Sequence, residues 1–289
     1  VFYHLYNRVA GPPDFLPFGP AEKEFFARLL HKLDRFFTVK VVDYQVMSNH
    51  FHLVVYTSDQ PPSPEETCQR YNTYYRGKHI LKPDDPLCEV VAERMRDISW
   101  YMQALQQQFT LWFNRNRCLG RRGTLWADRF KHTILGDAEA VWECIKYIHM
   151  NPVRAGMVED PADYRFGSYG VHSGYGRHPF EQNVKEVLLP WLQGAYGFTS
   201  VRQLHAVLNE AFKGVCAVQQ EPDGKVAQFA LHMDRRVRYW VDGLVIGSEL
   251  FINDVVTRSG PHLNTRRRGV NRARDPGSTL CCYKQLRAI

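Results

Sequence analysis

Residues 39–56 read Val39-Lys40-Val41-Val42-Asp43-Tyr44-Gln45-Val46-Met47-Ser48-Asn49-His50-Phe51-His52-Leu53-Val54-Val55-Tyr56. Val39 to Val46 is a β-branched run, Ser48-Asn49 is a turn signal, and Phe51 to Tyr56 is a second apolar run, so the stretch predicts a β-hairpin. Side chains two apart on a strand share a face. His50 and His52 therefore project together, while Phe51, Leu53 and Val55 project the other way, into a core. Two imidazoles side by side on a rigid strand make most of a metal site. The same pattern also arises on any solvated strand face.

Outward from the hairpin, Phe2 to Arg8 alternates like a strand, and Ala21 to Phe37 places Phe25, Phe26, Leu29, Leu30, Leu33 and Phe37 at helical spacing. Residues 58–97 are polar and carry Pro61, Pro62, Pro64, Pro83 and Pro86, which predicts an insertion or mobile loop with some helix. Ile98 to Asn114 predicts a long helix, His132 to Leu135 a short strand, and Ala138 to about Met150 a helix capped by Asp137 and ended by Asn151-Pro152. After Gly156 the composition shifts toward Gly, Tyr, Pro and His. Beyond it, Ser200 to Phe212 and Ser248 to Thr257 predict helices, and Arg238 to Gly243 a strand and turn.

The chain has 289 residues, 44% of them hydrophobic and 13% aromatic, enough apolar mass to exclude global disorder. No apolar run is long enough for a membrane span, and nothing reads as a secretion leader. The 7 cysteines are odd in number and include no C-x-x-C pair, which argues against a disulfide framework or a thiolate zinc site and points to a reducing, cytoplasmic setting. Lys+Arg number 37 against 30 Asp+Glu, so 37 − 30 gives +7. Part of that excess lies in one segment, where Arg115, Arg117, Arg121, Arg122, Arg129 and Lys131 stand against Asp128, with Trp126 and Phe130 among them. Cations for phosphates and rings for bases are what a single-strand groove needs; a solvated basic loop with Trp126 in the core has the same composition. Arg266 to Arg274 is a second basic run.

Tyr147 and Asn151 stand four apart, on one helical face. A phenol can attack phosphorus and form a covalent intermediate, and an amide oxygen one turn away can ligate a metal. Core packing by Tyr147 and helix capping by Asn151 is the competing assignment. Glu143, one turn earlier, is a weaker ligand candidate. His132, His149 and Cys144 read as structural.

Together, Tyr44 to Leu53 resembles the HUH motif of single-tyrosine transposases, and Tyr147-Ile148-His149-Met150-Asn151-Pro152-Val153-Arg154-Ala155-Gly156 resembles their tyrosine helix and its exit. Tyr3 to Arg8 is similar to their first strand, Gly123 to Lys131 to the approach to their last core strand, and Tyr164 to Tyr169 to the segment after the tyrosine helix. The nearest subgroup is the REP-associated tyrosine transposases, and the resemblance spans about residues 2–172. It implies an α+β fold: a ferredoxin-like HUH core with a central antiparallel sheet and flanking helices over residues 1–175, with 58–97 inserted. A mainly helical accessory region of unknown role would fill 176–289. It implies Mg²⁺ or Mn²⁺ on His50, His52 and Asn151, Tyr147 as nucleophile, and cleavage and rejoining of single-stranded DNA beside a REP-like hairpin by a monomer or homodimer, with no membrane. A catalytically silent hairpin-binding DNA or RNA module, or a metal-dependent phosphodiesterase that does not use the tyrosine, are the alternatives.

Overall fold

The computed structural model describes residues 1–117, 122–219, 240–241, 243–259, 270–272 and 280–283. Among the described residues, seven strands form one sheet: β1 (Phe2–Arg8), β2 (Lys40–Val46), β3 (His50–Tyr56), β4 (Lys131–Leu135), β5 (Val245–Gly247), β6 (Val270–Arg272) and β7 (Cys281–Tyr283), in the order β2-β3-β1-β4-β5-β7-β6. β3 pairs antiparallel with β1 and β2, and β1 pairs antiparallel with β4. β1 and β2 are thus parallel with β3 between them, the split βαβ arrangement of a ferredoxin-like core. β5 adds parallel to β4 and extends this sheet with chain from beyond residue 175.

One face is covered by α1 (Pro20–Asp34) and, following the two short helices defined below, α4 (Ile98–Asn116). Phe26, Leu29, Leu30 and Leu33 of α1 and Tyr101, Leu105, Phe109 and Phe113 of α4 bury against Leu5, Phe51, Leu53 and Val55. Trp126 joins this layer and is buried. The other face is covered by α5 (Ala138–His149), whose cap Asp137 accepts from the Ala140 N–H at 2.8 Å. Helices from beyond residue 175, including Leu189–Tyr196 and Val201–Gln219, bury against α5 in the same apolar cluster.

Residues 58–97 contain the helix expected within them, and more of it than a mostly looped insertion would hold. They hold α2 (Pro64–Tyr74) and α3 (Pro86–Arg96), packed around Cys68, Leu81, Cys88, Val91 and Met95. Pro64 and Pro86 each occupy a first helical turn, where a missing N–H costs nothing, behind the caps Ser63 and Asp85. Trp240 and Val241 are helical rather than extended. The Trp240 carbonyl is engaged by side chains from β1 and β4 instead of a strand ladder.

Asp43 in the middle of an apolar strand is explained by a bulge. Val41 opposes Val55 and Asp43 opposes Val54, so Val42 is the extra residue. The bulge turns Asp43 away from the aliphatic layer and onto the α5 face, where its Oδ2 meets His149 Nε2 at 2.9 Å. The free edge of β2 is covered by the segment after α5. Val46 N–H donates to the Phe166 carbonyl, Tyr164 Oη donates to the Val46 carbonyl at 2.7 Å, and Tyr44 N–H donates to Ser168 Oγ.

Candidate active site

Strand register decides which side chains meet. His52 lies opposite Tyr6 on β1 and Gln45 on β2; His50 lies opposite Arg8; His4 lies opposite Val54 on β3 and Thr133 on β4; Tyr6 lies opposite Lys131. His4, Tyr6, Arg8, His50, His52, Lys131 and Thr133 therefore share the face that α5 covers. His50 and His52 point to one layer as expected, with ring centres 5.2 Å apart.

α5 carries Tyr147 onto this face. Its ring stands edge-on to His52, with centres 5.7 Å apart, and 6.2 Å from the centre of His4. On its other side the Trp240 ring stacks at 5.7 Å. Tyr147 is 4% exposed. Burial raises its phenol well above the usual tyrosine value, and the nearby Arg154 cation opposes that rise.

The hydrogen-bond partners of the histidines assign their ring nitrogens. His50 Nδ1 lies 2.7 Å from Asn49 Oδ1, an acceptor, so Nδ1 donates and Nε2 keeps its lone pair. His52 Nδ1 lies 2.9 Å from His4 Nε2, and His4 Nδ1 lies 3.2 Å from the Trp240 carbonyl. Burial holds His4 and His50 down to about 4, and for His50 the cations Arg8, Arg154 and Lys23 add to the effect. His52 lies well below its usual value, first through burial and then through its two histidine neighbours and Arg154. All three rings are neutral at neutral pH, the state a metal ligand requires.

Asn151 sits at the junction of α5 with a short helical turn, α6 (Asn151–Arg154). Pro152 lacks the N–H that the Ile148 carbonyl would receive in a continuous helix. Asn151 Nδ2 donates to that carbonyl instead, at 3.1 Å, and its Oδ1 accepts from Arg154 Nη2 at 2.5 Å. Asn-Pro thus ends α5 as expected, but the chain turns helical again at once. The Asn151 oxygen keeps one further lone pair. Glu143 pairs with Lys146 at 2.5 Å. Among the described residues, no group of three or more His, Cys, Asp or Glu side chains is arranged to hold a metal ion. His50 and His52 are engaged through Nδ1, by Asn49 and His4, so Nε2 is the ring nitrogen each could offer to an ion.

The basic segment divides between regions. Lys131 lies on the histidine face across from Tyr6. Arg129 lines a groove of about 540 Å³ with Gln103, Gln106, Trp126 and Phe130, beside α4. Arg115 lines another, of about 360 Å³, with Arg28, Lys32 and Trp112. Arg117 pairs with Glu22 at 2.5 Å, and Arg122 is exposed. Arg121, Arg266, Arg267, Arg268 and Arg274 lie outside the described residues.

No family model matches this chain, and no curated protein matches it. A solved structure of a REP-associated tyrosine transposase bound to a REP hairpin superposes with a TM-score of 0.40 and 15% sequence identity, covering 62% of this chain and 82% of that one.

Three contributors near the histidines escaped the sequence reading. His4 and Arg8 reach the site only through strand register, although the alternation of Phe2 to Arg8 puts both on one face. Arg154 reaches it because α6 folds back on α5, and its guanidinium lies 4.5 Å from the centre of the Tyr147 ring. No described helix is long and apolar enough to cross a membrane.

Proposed function

We propose that this chain is a metal-dependent transposase or endonuclease that cleaves and rejoins single-stranded DNA at hairpin-associated sites through a 5′-phosphotyrosine. One observation carries the reading: the Tyr147 ring stands against His52, which neighbours His50 on a face that also holds Arg8, Lys131 and Arg154, and both imidazoles are engaged through Nδ1. The five-motif resemblance in the sequence supplies the substrate class.

Phosphoryl transfer needs neutralisation of phosphate charge and an aligned nucleophile more than it needs strong acids or bases. His50, His52 and the Asn151 oxygen would hold Mg²⁺ or Mn²⁺, which would supply Lewis-acid polarisation of the phosphate. Tyr147 Oη attacks phosphorus as its proton leaves. The bond from phosphorus to the 3′ oxygen breaks, and that oxygen takes up a proton as a free 3′-hydroxyl. Attack by a second 3′-hydroxyl reverses the step and returns the phenol. Arg154 favours the ionised phenol, and Arg8 and Lys131 hold phosphate oxygens of the strand. Arg115, Arg117, Arg121, Arg122 and Arg129 track the flanking nucleic acid as phosphate contacts. The substrate enters on the side of Tyr6, Arg8 and His50, whose side chains are only half-buried.

The burial of Tyr147 beneath Trp240 favours a second reading, a hairpin-binding module without catalysis. The test is incubation with 3′-labelled hairpin oligonucleotides taken from the DNA flanking the gene, with Mn²⁺. A labelled protein band, lost in Tyr147→Phe and in His52→Ala, is the expected result. Retarded DNA with no such band gives the binding module, and cleavage that survives Tyr147→Phe gives a phosphodiesterase that does not use the tyrosine.

A further inference from the structure

We propose that His4 is a positioning residue whose hydrogen bond fixes the tautomer of His52 and so leaves His52 Nε2 as an unprotonated donor atom. The part that concerns ion binding rests on the reading of His50 and His52 as ligands; the tautomer does not.

A carbonyl oxygen only accepts hydrogen bonds. His4 Nδ1, at 3.2 Å from the Trp240 carbonyl, therefore carries the proton. His4 is 1% exposed, and burial without a compensating charge disfavours the imidazolium, so the ring has a single N–H. Its Nε2 is then a lone pair. That lone pair faces His52 Nδ1 at 2.9 Å, with the two rings within 14° of parallel, so His52 Nδ1 must donate. The only proton on neutral His52 is spent there, and Nε2 is left bare. The relay runs from the Trp240 carbonyl through His4 to His52.

In water a neutral histidine favours the opposite tautomer, with the proton on Nε2, which blocks that nitrogen as a ligand. His50 meets the same difficulty with a local device, since Asn49 Oδ1 from the preceding turn accepts its Nδ1 proton at 2.7 Å. His52 has moved into the strand, where its neighbours in sequence point to the other face. Its acceptor comes instead from β1, 48 positions away. Acceptors of this kind orient ligating histidines in metal sites, and their loss typically weakens metal binding about 10- to 100-fold.

The test uses the full chain labelled with ¹⁵N-histidine and free of metal. Long-range proton–nitrogen correlation is expected to show His52 with its proton on Nδ1 in the wild type and in His4→Gln, whose Oε1 replaces the acceptor, and on Nε2 in His4→Phe. Calorimetric titration with Mn²⁺ is expected to weaken about 10- to 100-fold in His4→Phe and to recover in His4→Gln. Wild-type His52 protonated on Nε2 overturns the inference without any variant, so a His4→Phe protein that fails to fold leaves it decidable. An unchanged tautomer in folded His4→Phe overturns it as well. Wild-type His52 protonated on Nδ1 in a protein that takes up no Mn²⁺ supports the relay and overturns the reading of the ion site.

Discussion

Arg154 holds Tyr147 twice: its Nη2 donates to the Tyr147 carbonyl at 3.0 Å, and its guanidinium carbon lies 4.5 Å from the centre of the Tyr147 ring. The first contact ties down the end of α5, where the helix leaves its carbonyls without intrahelical partners. The second places a fixed cation beside a buried phenol that burial has made hard to ionise. Structure and chemistry converge on one side chain.

Arg154→Gln keeps a donor of shorter reach and removes the charge. Loss of the cation over the ring and of charged hydrogen bonds is expected to cost about 1–2 kcal/mol of stability, read from a urea titration. The phenol then ionises at still higher pH, so formation of the covalent DNA adduct slows by at least about tenfold, equivalent to about 1.4 kcal/mol in the barrier. Equal adduct rates for variant and wild type at pH 7 would remove Arg154 from the reaction.

Asn151→Ala separates a tie from a ligand. It leaves the Ile148 carbonyl without the donor that replaces the Pro152 N–H, and it takes an acceptor from Arg154. An unmade buried hydrogen bond costs about 1–3 kcal/mol, so the melting temperature of metal-free protein is expected to fall by several degrees. An unchanged melting temperature with weakened Mn²⁺ binding would instead make Asn151 a ligand alone.

Gly170 lies in the helix Ser168–Tyr175, where alanine is ordinarily preferred by about 1 kcal/mol. A Cβ there would stand 2.0 Å from the Tyr164 carbonyl oxygen and 2.5 Å from its carbon. Backbone cannot move aside as a side-chain tip can, and Tyr164 is anchored to β2 through its hydroxyl. The overlap outweighs the propensity, and Gly170→Ala is expected to lose about 2 kcal/mol or more in thermal or urea unfolding. A stabilised variant would mean that the segment covering the β2 edge is docked otherwise.

Acid should weaken the fold through His178. Its Nδ1 accepts from the Phe180 N–H at 3.1 Å, and burial holds the imidazole down to about 4 from 6.5. Asp43 and Glu181 pull its value up, His172 and His149 push it down, and His205 on the facing helix is also held to about 4. A histidine depressed in the folded state leaves the unfolded chain binding more protons below pH 6.5. Stability is therefore full above about 6.5 and declines as pH falls toward about 4, where it levels off. The urea midpoint is expected to drop across this range, and His178→Gln to show a shallower drop. Identical slopes in both proteins would assign the acid sensitivity to other groups.

Much of the core was legible in the chain itself. The hairpin, the direction of His50 and His52, α1, α4 and the cap at Asp137 all follow from local signals: residue periodicity, turn chemistry and capping side chains act within a few positions. At residues 58–97 helix is expected but not its extent or bounds, because a proline reads alike as a breaker and as the opening residue of a helix, and two of the five open helices. Asp43 could not be understood before the bulge was seen, since a period of two puts its carboxylate in the aliphatic layer.

The sequence by itself determined the alternation of Phe2 to Arg8 and of His50 to Tyr56 and the helix that carries Tyr147, because these depend on the fixed geometry of strand and helix. Tertiary structure alone decided that His4 would face His52, that Arg154 would cover Tyr147, and that Trp240 would close over the site from chain beyond residue 175. Those contacts are set by strand register and by where a helix exit folds back, quantities that depend on the packing of the whole sheet and leave no mark on neighbouring residues.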